Sequence, residues 1–173
     1  MTASTTLADR IRAQPLSAAA FAIALVAALT LAGAWFFELV WKLEPCPLCL
    51  EQRIPYYIAV PLGIVVGLLR NERLARLGLA LLGIVLLVGA GYGVYHAGIE
   101  WGFWEGPTAC AGGAVSPPSG DILSSLKATQ RVVSCSEAAW RFLGLSLAGY
   151  NVLIAGGLAV LALWAALARP KNA

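Results

Sequence analysis

The sequence predicts an all-α membrane protein, a four-helix transmembrane bundle with two outward loops, the second long and cysteine-containing. Three observations predict it. Of 173 residues, 60% are hydrophobic and only 12% charged, where a soluble domain is roughly half apolar and a quarter charged. Four stretches, 13–37, 54–69, 77–99 and 142–168, carry no Asp, Glu, Lys or Arg. Basic residues gather on alternate connections between those stretches. The length suits a single integral membrane domain over residues 1–173, whose surroundings are a lipid bilayer and not nucleic acid.

A spanning helix needs about 20 predominantly apolar residues. The first stretch meets this as a helix over about 16–40. Basic residues precede it, as in a cleaved signal peptide, but an h-region runs to about 15 residues at most. This run is 25 residues long, so retention is expected. The second stretch has 16 residues and reaches spanning length only if Leu48 to Leu50 join it, giving a helix over about 49–69. Pro55 and Pro61 lie inside it and predict a kink. The third and fourth stretches predict helices over about 77–96 and 144–168, leaving outward loops over about 41–48 and 97–143.

Orientation follows from the loop charges. Arg10, Arg12, Arg70, Arg73, Arg76, Arg169 and Lys171 fall on one side against Asp9 and Glu72, a net +5. The other side holds five basic residues against seven acids, a net −2. The positive-inside rule then makes both termini cytoplasmic. Trp35, Trp41, Trp101, Trp104 and Trp140 cluster near the outer boundary, where interfacial aromatics act as anchors.

All four cysteines, Cys46, Cys49, Cys110 and Cys135, lie in the outward loops. Outward from a bacterial inner membrane is the periplasm, where disulfides persist. Four cysteines permit three pairings. Proximity in sequence favours Cys46–Cys49 and Cys110–Cys135 without excluding exchange between the loops.

The first pair forms C-P-L-C at the predicted start of the second helix. A helix N-terminus favours an anion, so a cysteine there, the second of a C-x-x-C above all, is expected partly as thiolate. Arg53 lies four residues beyond Cys49, and on a continuous helix both project from one face. A cation there would stabilise a thiolate or a polar, electron-accepting headgroup; snorkelling to the interface is the plainer alternative. A four-thiolate zinc site would need two close pairs, and 24 residues separate the second pair, so no metal is expected. A Cys46–Cys49 ring constrains little of the unfolded chain. Cys110–Cys135 would close 26 residues, worth roughly 3.5 kcal/mol in the chain-entropy model.

The second loop, with "EGPTACAGGAVSPPSGD", is rich in Gly, Pro and Ser. Within it "SGDILSSLKATQRVV" allows a short helix beginning near Ser119 or Asp121, lying on the membrane surface or packed on the protein. A connection this long usually has a function or is disordered. The sole histidine, His96, sits where the third helix reaches the outer interface. It is a structural residue or a hydrogen-bond donor to a headgroup near Arg53.

This arrangement resembles the disulfide bond formation protein B (DsbB) family. The likeness rests on four spans, C-P-L-C opening the second with Arg53 four residues on, and two widely spaced cysteines in the second outward loop. It extends to "SCSEAAWRFLGLSLAGY", where the family has a similar Trp and Phe-Leu-Gly-Leu stretch after its last cysteine. The resemblance implies a membrane thiol:quinone oxidoreductase. Such a protein reoxidises a periplasmic thioredoxin-fold dithiol oxidase (DsbA-like) and passes two electrons to the membrane quinone pool, ubiquinone or menaquinone. Carried onto this chain, it makes Cys110 the target of the reduced partner's thiolate. Cys135 then attacks Cys46, and Cys49 is left as the thiolate beside quinone, held by Arg53. His96 matches a family histidine near the same site. DsbA has a potential of about −120 mV, and ordinary structural disulfides lie below about −300 mV. Cys110–Cys135 is therefore expected to be strained, exposed or pulled forward by quinone.

Two other classes compete. A small transporter would place ionisable residues in the spans to line a path, and the spans contain no Asp, Glu, Lys or Arg. A docking or assembly factor with structural disulfides would tolerate loss of Cys46 and Cys49.

Overall fold

The computed structural model describes residues 15–107, 110 and 134–168. Among the described residues five α-helices are formed: α1 (Pro15–Leu39), α2 (Pro47–Glu51), α3 (Ile54–Leu68), α4 (Glu72–Glu100) and α5 (Leu147–Leu167). Of these, α1, α4 and α5 are long and apolar enough to cross a membrane. Their outward surfaces carry Leu25, Leu29, Leu77, Ile84, Val160 and Leu167, all exposed. Such a surface is stable against hydrocarbon and unstable in water. The possible helix near Ser119 and Asp121, the N-terminal Arg10 and Arg12 expected to be cytoplasmic, and the tail's Arg169 and Lys171 lie outside the described residues.

The second expected span differs most from expectation. It is divided into α2 and α3, because Pro55 has no N–H to give to Glu51 and its ring crowds the carbonyl there. Gln52 and Arg53 make the turn between the two, with Arg53 N–H bonded to the Leu50 carbonyl at 3.1 Å. Pro61, by contrast, is accommodated inside α3. The 15 residues of α3 rise about 22 Å. The third span begins earlier than expected, because Asn71 caps α4 by accepting from Leu74 N–H at 3.2 Å.

Residues 141–146 form a feature the sequence reading lacks. Arg141–Phe142 pairs antiparallel with Leu145–Ser146 across a two-residue turn. Leu143 and Gly144 both have positive φ, 49° and 83°, the geometry of tight hairpin turns. Glycine adopts it freely; Leu143 does so at a cost, with its side chain exposed. The Phe-Leu-Gly-Leu stretch is thus a corner that delivers Ser146 to the N-cap of α5, where its Oγ accepts from Gly149 N–H at 3.2 Å.

Helix α4 packs along α5, α1 along α3, and α3 against α4. Ile23, Tyr56, Leu79, Leu82 and Leu86 are fully buried among alanines of α1 and α5. Small residues permit this close approach, as membrane helix pairs require. At Gly63 an added Cβ would lie 3.0 Å from the Ala20 carbonyl. At the far end, Arg76 ties α4 to the end of α5 by donating to the carbonyls of Ala166 and Ala168 at 2.8 and 2.5 Å. Glu72 holds the same guanidinium at 2.9 Å.

Candidate active site

The C-terminal ends of α1 and α4, the start of α5 and the short α2 meet at one end of the bundle. Leu43 to Pro47 bring the chain from α1 into α2, and Cys46 caps α2 with its own sulfur, which accepts from Cys49 N–H at 3.2 Å. Pro47 follows at the first helical position, where a missing N–H costs nothing. Cys46 and Cys49 form a disulfide with Cα atoms 5.1 Å apart, and Cys110 and Cys135 form another at 5.0 Å. The pairing is the one that sequence proximity favours.

The two disulfides are packed together. Cys46, Leu48, Ile99, Cys110 and Cys135 make one buried apolar cluster, with Cys49 against it. Cys135 is 0% exposed and Cys110 3%. Exposure therefore does not describe the second disulfide in this state, contrary to one of the sequence expectations. Burial at a shared cluster replaces it.

Beneath the disulfides lies a cavity of about 580 Å³ between α1 and α5, lined largely by apolar side chains. Its size is that of a small-molecule site. Cys46, Cys49, Arg53, His96, Glu38 and Asn151 bring polar groups to its walls. Arg53 is there, but its charge is already engaged. Its Nη1 donates to Glu38 at 2.6 Å, and its guanidinium lies 5.8 Å from the Trp35 ring centre. The helix is divided between Cys49 and Arg53, yet both residues line this one cavity. The remaining N–H groups of Arg53 have no partner among the described residues.

His96 is turned toward the protein on both sides. Its Nε2 lies 3.6 Å from Cys46 Sγ and 3.9 Å from Glu100 Oε1. Its Nδ1 lies 2.6 Å from Gln52 Nε2. Gln52 Oε1 accepts from Asn151 Nδ2 at 2.6 Å, and Asn151 Oδ1 accepts from the Tyr56 hydroxyl at 2.6 Å. As a disulfide the two sulfurs offer no thiolate to a metal; once reduced they would join His96 as three donors within 4.8 Å of one another.

From sequence, Glu38 and Glu100 count only among the seven outer-side acids, and Gln52, Tyr56 and Asn151 are not singled out. A signal existed for Asn151, an amide inside the charge-free stretch 142–168, since a polar side chain in an apolar span usually bonds across helices. The aromatic residues at this end are more than a belt. Trp104 stacks on Tyr95 and donates to its carbonyl at 2.8 Å, while Trp140 packs among Phe37, Trp41, Phe142 and Tyr150.

The family model described as disulfide bond formation protein DsbB matches residues 17–165. The chain belongs to the DsbB family. The disulfide bond formation protein B of Marinobacter nauticus is 34% identical over 84% of this chain and 88% of its own. That of Azoarcus is 32% identical over 87% and 90%, and that of Nitrosococcus oceani 31% over 79% and 83%. No solved structure matches. As a DsbB-family chain with three long apolar helices, this is a multi-pass inner-membrane protein of disulfide bond formation.

Proposed function

We propose that this DsbB-family protein is a thiol:quinone oxidoreductase that reoxidises a periplasmic, thioredoxin-fold dithiol oxidase of the DsbA kind. The observation that carries the reading is the packing of both disulfides in one cluster above an apolar cavity. A docking protein has no use for that adjacency; a relay requires it. In this reading α3 also crosses the membrane, completing the four-helix bundle, with both termini cytoplasmic and all four cysteines periplasmic.

The exchange balances bond by bond. A thiolate of the reduced partner attacks Cys110 Sγ, a mixed disulfide forms, and Cys135 leaves as thiolate. Cys135 attacks Cys46 Sγ, joining the two loops, and Cys49 leaves as thiolate with the electron pair. The partner's second thiolate then closes its own disulfide and releases Cys110. Cys110 attacks Cys135, and Cys46 is freed as thiolate. Re-forming Cys46–Cys49 returns the protein to its starting state. Quinone supplies the acceptor for the two electrons, and takes up two protons. The residues present fit such a group: an apolar cavity suits its ring and tail, and the unengaged N–H groups of Arg53 suit a ring oxygen. Glu38 and Trp35 hold that guanidinium in place beforehand. Because Cys110 is buried, the partner gains access only when the packing of Leu48 and Ile99 around it opens. A partner near −120 mV is hard to oxidise, and each 30 mV is worth about 1.4 kcal/mol. A buried Cys110–Cys135 therefore needs the quinone step to draw the sequence forward.

The test is quinone reduction by the purified protein, followed by absorbance, with a reduced DsbA-like protein as donor. Wild type should turn over and Cys49→Ser should not. Full activity in Cys49→Ser, or no turnover with intact cysteines and a competent donor, would refute the reading.

A further inference from the structure

The buried chain Tyr56–Asn151–Gln52–His96 has a direction. The Gly89 carbonyl can only accept, and Asn151 Nδ2 faces it at 3.5 Å while donating to Gln52 at 2.6 Å. Asn151 Oδ1 therefore faces Tyr56, whose hydroxyl has this as its acceptor among the described residues. With Gln52 Oε1 taken up by Asn151, its amide nitrogen must be the group at His96 Nδ1, 2.6 Å away. A donor at Nδ1 leaves Nδ1 as the acceptor. In the neutral imidazole the single proton then sits on Nε2, and Nε2 is the atom that faces Cys46 Sγ at 3.6 Å. Reversing the chain would turn the Asn151 nitrogen toward Tyr56, deprive the hydroxyl proton of its acceptor and set two oxygens, those of Asn151 and Gly89, against each other.

We propose that Gln52 and Asn151, anchored by Tyr56 and Gly89, are positioning residues that fix His96 as its Nε2–H tautomer and aim that N–H at the sulfur of Cys46. The tautomer follows from the hydrogen bonds alone. Its use rests on the proposed reaction, in which Cys46 is released as a thiolate before its disulfide re-forms. An N–H already aimed at that sulfur gives a charge-assisted hydrogen bond without reorganisation. Glu100 Oε1, 3.9 Å from the same nitrogen, supports the assignment, since a carboxylate oxygen there also faces an N–H more favourably than a lone pair.

His96 is the only histidine, so its ring nitrogens can be read without assignment in the full-length protein. Nitrogen-15 NMR of the oxidised protein, histidine-labelled and held in detergent micelles, should show a bare Nδ1 and a protonated Nε2. Gln52→Glu places an acceptor-only carboxylate against Nδ1 and should protonate Nδ1. Asn151→Leu, which leaves the cysteine-bearing turn untouched, frees the Gln52 amide to rotate and should add an Nδ1–H population. Nδ1–H in the wild type, or a bare Nδ1 that persists in both variants, would overturn the proposal. For its use, Cys46 is left as the sole thiol by Cys49→Ser, Cys110→Ser and Cys135→Ser, and its capture by iodoacetamide is timed. Adding Asn151→Leu should slow capture in proportion to the Nδ1–H population, about twofold for equal tautomers. An undiminished rate despite a shifted tautomer would overturn the thiolate role. Neither readout needs donor or quinone, so failure here is distinct from failure of the turnover test.

Discussion

Two glycines two residues apart on α4 make opposite predictions. Gly93 faces α5: an added Cβ would lie 2.9 Å from Val152 Cγ2, 3.1 Å from Asn151 Nδ2 and 3.2 Å from Val152 N. Gly91 faces outward, and a Cβ there meets nothing within 4 Å. Both substitutions to alanine gain helix propensity, up to about 1 kcal/mol. Only Gly93→Ala also overpacks, at a typical cost of about 1–3 kcal/mol. Val152 is β-branched and stiff, so α5 itself must retreat, by about 0.5 Å if ordinary contact begins near 3.4 Å. That displacement stretches the Asn151–Gln52 bond from 2.6 Å to about 3.1 Å, weakening it without breaking it. Gly93→Ala should therefore be about 1–3 kcal/mol less stable than Gly91→Ala, measured by SDS titration in bicelles with tryptophan fluorescence. Equal stabilities would refute the argument that Gly93 seats Asn151 against α4.

Other expectations are simpler to state. Arg53→Ala should raise the apparent KM for quinone about tenfold with kcat little changed, because it removes a binding contact worth about 1.4 kcal/mol; an unchanged quinone dependence would return Arg53 to a role in pairing Glu38. Cys110→Ser should abolish oxidation of the protein donor while Cys46–Cys49, reduced chemically, is still reoxidised by quinone. Arg76→Ala removes the donor to the Ala166 and Ala168 carbonyls and should destabilise the protein by about 1–3 kcal/mol. Retained stability would show water replacing the guanidinium at that helix end.

The three long helices are legible because hydrocarbon demands a continuous apolar run, and α1 ends at Leu39, one residue from the expected 40. Pro55 predicts a kink, but a kink and a break look alike in sequence. Gln52 and Arg53 keep helical φ and ψ, and the division comes from lost i→i−4 bonding, since Pro55 has no N–H and Arg53 N–H turns to the Leu50 carbonyl. The four cysteines were legible from their loops and spacing. Their packing into one cluster was not, because Cys46, Cys110 and Cys135 are brought together by contacts distant in sequence. His96 was visible as a lone histidine, while its orientation depends on Gln52 and Asn151, 44 residues before it and 55 after. The hairpin at Leu143–Gly144 has no such local signal, because leucine at positive φ runs against its own preference.

The relay requires that Cys135 reach Cys46. In Cys49→Ser with Cys110→Ser those two thiols alone remain, and oxidation under dilute conditions followed by peptide mass spectrometry reads whether they join. An intramolecular Cys46–Cys135 disulfide should be the main product. Free thiols or cross-linked dimers from a folded protein would contradict it.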